Sequence, residues 1–157
     1  QNTVGMMHFH MLMNPNTFCC KQDKDFLLIL HIIMVHVHTT LADRVVFQQL
    51  IDSNEGIILI KFSAEWCSPC KVISPFVKDM VSNLSENVTL YDLDVDDNFE
   101  IYAYLKSKKM VTGIPTMLAY FRENNSFASD ECVSGTDKQA YENFFTKCLI
   151  QSNCYKN

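Results

Sequence analysis

From residue 34 onward the chain switches repeatedly between a two-residue and a 3.6-residue hydrophobic period, and the order of the switches predicts an architecture. Met34 to His38 alternates apolar residues with His, the pattern of a half-exposed strand. Thr40 is placed as an N-cap with Asp43 three positions on, and Val46 and Leu50 begin a helical stripe that Gly56 closes. Ile57 to Phe62 is nearly all apolar and β-branched, as expected of a central strand covered on both faces. After Cys67, the residues Val72, Ile73, Phe76, Val77, Met80, Val81 and Leu84 trace one wide helical face. Val88 to Val95 reads as a strand, and Phe99 to Lys108 as a helix with Ile101, Tyr102 and Leu105 inward. Thr116 to Phe121 and Phe127 to Val133 flank Glu123-Asn124-Asn125 as a hairpin. Gly135 then leads to a last helix, with Thr136 and Gln139 as a capping box and Tyr141, Phe144, Phe145, Cys148 and Leu149 inward.

The predicted order is β-α-β-α-β-α-β-β-α. Strands alternating with helices pair in parallel, and a terminal hairpin adds antiparallel neighbours. The expected fold class is α/β, a central mixed β-sheet of parallel strands plus a C-terminal antiparallel hairpin, with helices on both faces. Residues 34–151 form this domain, 1–33 an N-terminal extension and 152–157 a C-terminal tail.

Composition agrees with a packed domain: of 157 residues, 48% are hydrophobic and 20% charged. The net charge of −5, with no Lys/Arg cluster, argues against a nucleic-acid partner. Phe26 to Val37 is apolar and follows Lys21 and Lys24, faintly like a signal segment, but it is too short to span a membrane. The preferred reading is that this region supplies a first strand of the domain. In the extension, Met6 to Met13 is rich in Met and His, which could ligate copper, yet nothing in the pattern fixes those ligands in space, so no metal site is expected.

Seven cysteines are present: Cys19, Cys20, Cys67, Cys70, Cys132, Cys148 and Cys154. An odd number cannot close into a complete disulfide scaffold, and the single C-x-x-C, Cys67 to Cys70, lacks the second pair that a structural zinc site wants. Cys132 and Cys148 fall on predicted apolar faces and are expected in the core, whereas Cys19, Cys20 and Cys154 lie in tails. At Trp66-Cys67-Ser68-Pro69-Cys70-Lys71 the first cysteine opens a helix, where unpaired amides and the dipole favour its thiolate. Cys67 is therefore expected to be the exposed nucleophile, with Cys70 one turn away and shielded. Pro69 suits the first turn because its missing N–H would have no helical partner there.

This stretch resembles the thioredoxin family, whose pattern is W-C-G-P-C-K, and the resemblance spans roughly residues 34–150. Ala64-Glu65-Trp66 fits the lead-in, Pro75 fits the proline that kinks the following helix, and Gly135 fits the glycine before the last helix. Gly113-Ile114-Pro115-Thr116 fits the loop that carries a cis-proline facing the cysteines. The resemblance implies that Pro115 is cis, that the Ile114 backbone pairs with an extended substrate strand, and that Trp66, Ile114 and Gly135 line the substrate groove. The implied activity is a thiol–disulfide oxidoreductase that reduces protein disulfides through Cys67 and Cys70. It needs no cofactor beyond that redox-active pair, is recharged by a thioredoxin reductase-type enzyme and acts as a cytoplasmic monomer. Two other readings remain: an oxidase or isomerase of the protein disulfide isomerase kind, in the secretory pathway if residues 26–37 act as a signal, and a non-catalytic binding module.

The chain also departs from the family. Thioredoxins usually bury an Asp where this sequence has Lys61, and commonly place a Lys in the next strand where it has Asp92. The two charges are expected to be exchanged and in contact, and Lys61 and Asp92 to tune the redox pair together with Ser68 and Pro69.

Overall fold

The computed structural model describes residues 35–155. The Met/His stretch, Cys19, Cys20, Met34 and most of the apolar segment 26–37 lie outside the described residues. The elements are β1 (His36–His38), α1 (Arg44–Asp52), β2 (Ile57–Ser63), α2 (Ser68–Ser82), β3 (Val88–Asp94), α3 (Phe99–Ser107), β4 (Thr116–Phe121), β5 (Glu131–Ser134) and α4 (Lys138–Cys154). The sheet runs β1-β3-β2-β4-β5. β1 and β2 flank β3 in parallel, whereas β4 pairs antiparallel with both β2 and β5. This is the expected element order and the expected mixed sheet.

Side-chain alternation along β2 distributes the core. Ile58, Ile60 and Phe62 join Phe47 and Ile51 of α1 and Ile101 and Leu105 of α3. Ile57 and Leu59 point the other way, toward Ile73, Val77 and Val81 of α2 and Tyr141, Phe144, Phe145 and Cys148 of α4. Helices therefore cover both faces, and each buried aliphatic side chain contributes about 2 kcal/mol of apolar transfer. Phe47 sets its edge on Tyr120 at 5.5 Å between ring centroids, and the Tyr120 hydroxyl donates to the Phe127 carbonyl at 3.0 Å.

Several local expectations shift. Asp43, not Thr40, caps α1 by accepting the Val45 and Val46 amides, because its carboxylate sits where those free N–H groups point. In the same way Asp137 rather than Thr136 caps α4 by accepting the Gln139 amide. Gly56 does not close α1, which ends at Asp52 with Ser53 as its C-cap; it lies where β2 begins, and a Cβ there would stand 2.1 Å from the Asn87 carbonyl oxygen. β1 is exposed at all three residues rather than half-exposed, since it is the sheet edge. β5 is shorter than predicted and starts at Glu131; the chain before it turns on Asn124 and Ser126 side-chain hydrogen bonds. Val72 is 66% exposed, not part of the inner face of α2. Cys132 is exposed rather than in the core: it alternates with buried Val133 and faces the opposite side of this edge strand. Finally, α4 continues past residue 151 to Cys154 and buries Ser152.

Candidate functional site

β2 delivers the chain through Ala64, Glu65 and Trp66 to Cys67, where α2 starts. Cys67 is the N-cap: its backbone is extended (φ −81°, ψ 102°) and its Sγ accepts the Cys70 amide at 3.2 Å. The Cys67 carbonyl accepts the Lys71 amide and its own amide donates to the Ala64 carbonyl, so the turn before the helix is fixed on both sides. Pro69 occupies the first turn, as expected, and Pro75 sits inside the helix, where its ring removes one donor to the Lys71 carbonyl.

Cys67 and Cys70 are joined by a disulfide with a Cα–Cα distance of 5.3 Å. Exposure does not separate the two: in this oxidised state they are 4% and 3% exposed. What distinguishes them is position, since only Cys67 caps the helix and holds its sulfur against a main-chain N–H. Ser68 and Pro69 between them are exposed.

The Ile114–Pro115 peptide bond is cis, as the resemblance implied. Ile114 packs against the cluster that contains both cysteines. The Pro115 carbonyl accepts the Gly135 amide at 3.0 Å, and Thr116 Oγ1 donates to the Gly113 carbonyl at 2.8 Å and shares a hydrogen bond of 2.7 Å with Ser134 Oγ. These bonds tie the proline loop to the β5–α4 connection. Gly135 is exposed with φ +84°, and a Cβ there would meet open space, so backbone conformation alone asks for glycine.

Trp66 is 66% exposed beside the disulfide, and its indole N–H donates to Asp96 Oδ2 at 2.8 Å. Asp94 supports this arrangement by accepting the Glu65 and Asp96 amides. Sequence reasoning missed Asp94 and Asp96 as parts of the site. Their signal was the run Asp94-Val95-Asp96-Asp97-Asn98 at the end of a strand, where carboxylates can accept amides two residues away.

Lys61 and Asp92 do meet: Lys61 Nζ donates to Asp92 Oδ1 at 2.7 Å, and the two residues are register partners in β2 and β3. Lys61 is only 7% exposed.

Of the three unpaired cysteines described, Cys132 and Cys154 are exposed and Cys148 is buried. Burial pushes the Cys148 thiol up from 9.0 to about 12, with the nearby Glu131 carboxylate adding to the effect. Burial likewise moves Tyr141 from 10.0 to about 12. Both acids are held neutral in the fold, so the stability they contribute is complete below about pH 9 and is lost as pH rises toward 12. Alkaline unfolding followed by circular dichroism is expected to begin above about pH 9, and Cys148→Ala should shift its onset upward. An unchanged onset would assign the alkaline transition to other groups. Among the described residues, no group of three or more His, Cys, Asp or Glu is placed to hold a metal ion.

The thioredoxin family model matches residues 36–147. The chain is 29% identical over 121 residues to mitochondrial thioredoxin of Mus musculus, covering 72% of this chain and 69% of that protein. It is 36% identical over 104 residues to thioredoxin 3 of Plasmodium falciparum, covering 66% of this chain and 54% of the relative. The solved structure of oxidised mitochondrial thioredoxin 3 from Saccharomyces cerevisiae superimposes with a TM-score of 0.53 at 26% identity, covering 69% of this chain and 93% of that one.

Proposed function

The chain belongs to the thioredoxin family, and from that premise we propose that it reduces protein disulfides by dithiol exchange through Cys67 and Cys70. The observation that carries this reading is the Cys67–Cys70 disulfide at the start of α2. In the reduced protein, Cys67 as thiolate attacks one sulfur of a substrate disulfide. A Cys67–substrate bond forms, and the other substrate sulfur leaves with the electron pair and takes a proton. Cys70 then attacks Cys67, closes the disulfide described here and releases the second substrate thiol. Two electrons pass to the substrate, and the chain's own sulfurs are the only redox groups the cycle uses.

By the family resemblance Trp66, Ile114 and Gly135 would border the approach to the pair, and a substrate segment laid along Ile114 would bring its disulfide to Cys67. Recharging requires an external two-electron donor, for which a thioredoxin reductase-type enzyme is the natural class. The mitochondrial relatives from mouse and yeast support an organelle location rather than the cytoplasmic one expected from the sequence. Immunogold labelling or fractionation of the source cells would locate the chain.

The activity is tested by insulin reduction with dithiothreitol as electron donor, followed as turbidity from the released chains. The protein should accelerate precipitation well above the dithiothreitol background. Precipitation at the background rate would remove the reductase reading and leave the fold as a binding scaffold.

A further inference from the structure

Lys61 is the only buried charged residue among the described residues, and the exchange derived above gives it no task. Alternation along β2 places it with Ile57 and Leu59 on the α2 side of the sheet. Its register neighbours are Asp92 on β3 and Met117 on β4, and Met117 offers no counter-charge. The ion pair is lopsided: the Lys61 side chain is 9% exposed and that of Asp92 38%, so water screens the carboxylate more than the ammonium.

On the other side, Lys61 shares a cleft of about 230 Å³ with Cys70 and Ser74 of α2, a cleft that Asp92 does not line. The other charged residues around it are Glu65 in the β2–α2 loop, Lys71 on α2 and Asp94 at the end of β3. Glu65 and Lys71 are exposed, and the Asp94 carboxylate is engaged by the Glu65 and Asp96 amides. Of the charged side chains that line this cleft Lys61 is the most buried, and its pair with Asp92 also borders a second cleft with Lys78.

We propose that Lys61 is a positioning residue for the second half of the exchange, its buried ammonium stabilising Cys70 as a thiolate once the Cys67–Cys70 bond is open. The inference rests on the dithiol cycle proposed above. In that half, Cys70 sheds its proton to water in the cleft, and its sulfur attacks Cys67 Sγ in the mixed disulfide. The Cys67–Cys70 bond forms, the bond from Cys67 to the substrate breaks, and the substrate sulfur leaves with the electron pair and is reprotonated by solvent. No further oxidant is needed. Because only the thiolate attacks, and its nucleophilicity falls less steeply than its pKa, the ammonium raises the rate at neutral pH and slightly lowers the alkaline plateau, where Cys70 is ionised in any case.

Stopped-flow reaction of the fully reduced chain with 5,5′-dithiobis(2-nitrobenzoate) separates the two halves. Attack by Cys67 releases one thionitrobenzoate, and closure by Cys70 releases a second; Cys70→Ser, which lacks the second release, supplies the background from the remaining thiols. Lys61→Met keeps the apolar stem and removes the charge. It is expected to slow the second release about threefold at pH 7, to raise the pH of half-maximal rate by about one unit and to leave the plateau no lower than in the parent. Asp92→Asn, which keeps the ammonium and removes its partner, should move the profile toward lower pH. Should Lys61→Met not fold, the direction of the Asp92→Asn shift decides alone. Unmoved pH profiles, or a lower plateau without a shift, would overturn the proposal and leave Lys61–Asp92 a structural ion pair. A parent protein with no second release would instead overturn the dithiol cycle itself.

Discussion

Cys67→Ser is expected to abolish insulin reduction, returning it to the dithiothreitol background, whereas Cys70→Ser should convert the protein into a trap. The asymmetry follows from position. Cys67 caps α2, so its sulfur is held against the Cys70 amide and the positive end of a 15-residue helix, and the proposed cycle makes it the one that meets the substrate. A hydroxyl there neither ionises nor attacks sulfur, and no first bond forms. With Ser at position 70 the first bond still forms, but nothing one turn away can break it. Incubating Cys70→Ser with oxidised insulin and running a non-reducing gel should show a covalent adduct that dithiothreitol removes, and peptide mapping should place it on Cys67. An adduct that resolves as fast as in the parent would mean another thiol closes the cycle. Cys132 would be the first to test, because it is exposed on β5 rather than buried.

Gly56→Ala is expected to be the most damaging single-methyl change in the fold. The added Cβ would lie 2.1 Å from the Asn87 carbonyl oxygen, and that same oxygen accepts the Ile57 amide at 2.9 Å. Relief requires the β2 entry and the loop before β3 to separate, which strains or breaks that hydrogen bond at the foot of two central strands. The cost is about 3 kcal/mol, and the midpoint of thermal unfolding should fall by roughly 10 °C. Circular dichroism melts of parent and variant measure it, and a midpoint within 2 °C of the parent would show that the loop yields freely. Insulin reduction at 25 °C should survive, since the Ile57 end of β2 is the far end from the cysteines.

Gly56 also shows where the sequence stops being informative. A glycine after a helical stripe reads as a helix terminator, and nothing local betrays that its lack of a side chain admits a carbonyl from 31 residues away. The strands and helices themselves were legible because their periods are set by burial on one side or on both: Ile57–Phe62 is continuous because helices cover both faces of β2. Capping was legible only to within a few residues. Thr40 and Asp43 are both good caps on paper, and the choice falls to the residue whose side chain meets the first free amides. Val72 and Cys132 were misplaced for a related reason. An apolar residue at the margin of a stripe, or on an edge strand, faces whichever side the neighbouring elements leave open.

At the site, the cysteines, Pro69 and Pro115 could be read because a short motif carries their roles. The Lys61–Asp92 pair could be read because the family resemblance places an Asp and a Lys at those two positions, which the structure makes register partners in adjacent parallel strands. Asp96 could not, since its value lies in accepting one indole N–H from a residue 30 positions earlier, and that contact exists only once β2 and β3 are side by side.

The strand lengths carry a consequence for how molecules of this chain meet one another. The sheet ends in three residues at β1 and four at β5, while β2 and β3 at its centre have seven each. Open main-chain donors and acceptors at a sheet border are a template onto which a second molecule can add, and steric-zipper segments need about six or seven residues. Neither border offers that much among the described residues. The segment with the strongest tendency to self-associate, Ile57–Phe62, is hydrogen-bonded to β3 on one side and β4 on the other. Assembly through this segment therefore has to wait for the sheet to open, which ties the colloidal stability of the described domain to its global fold.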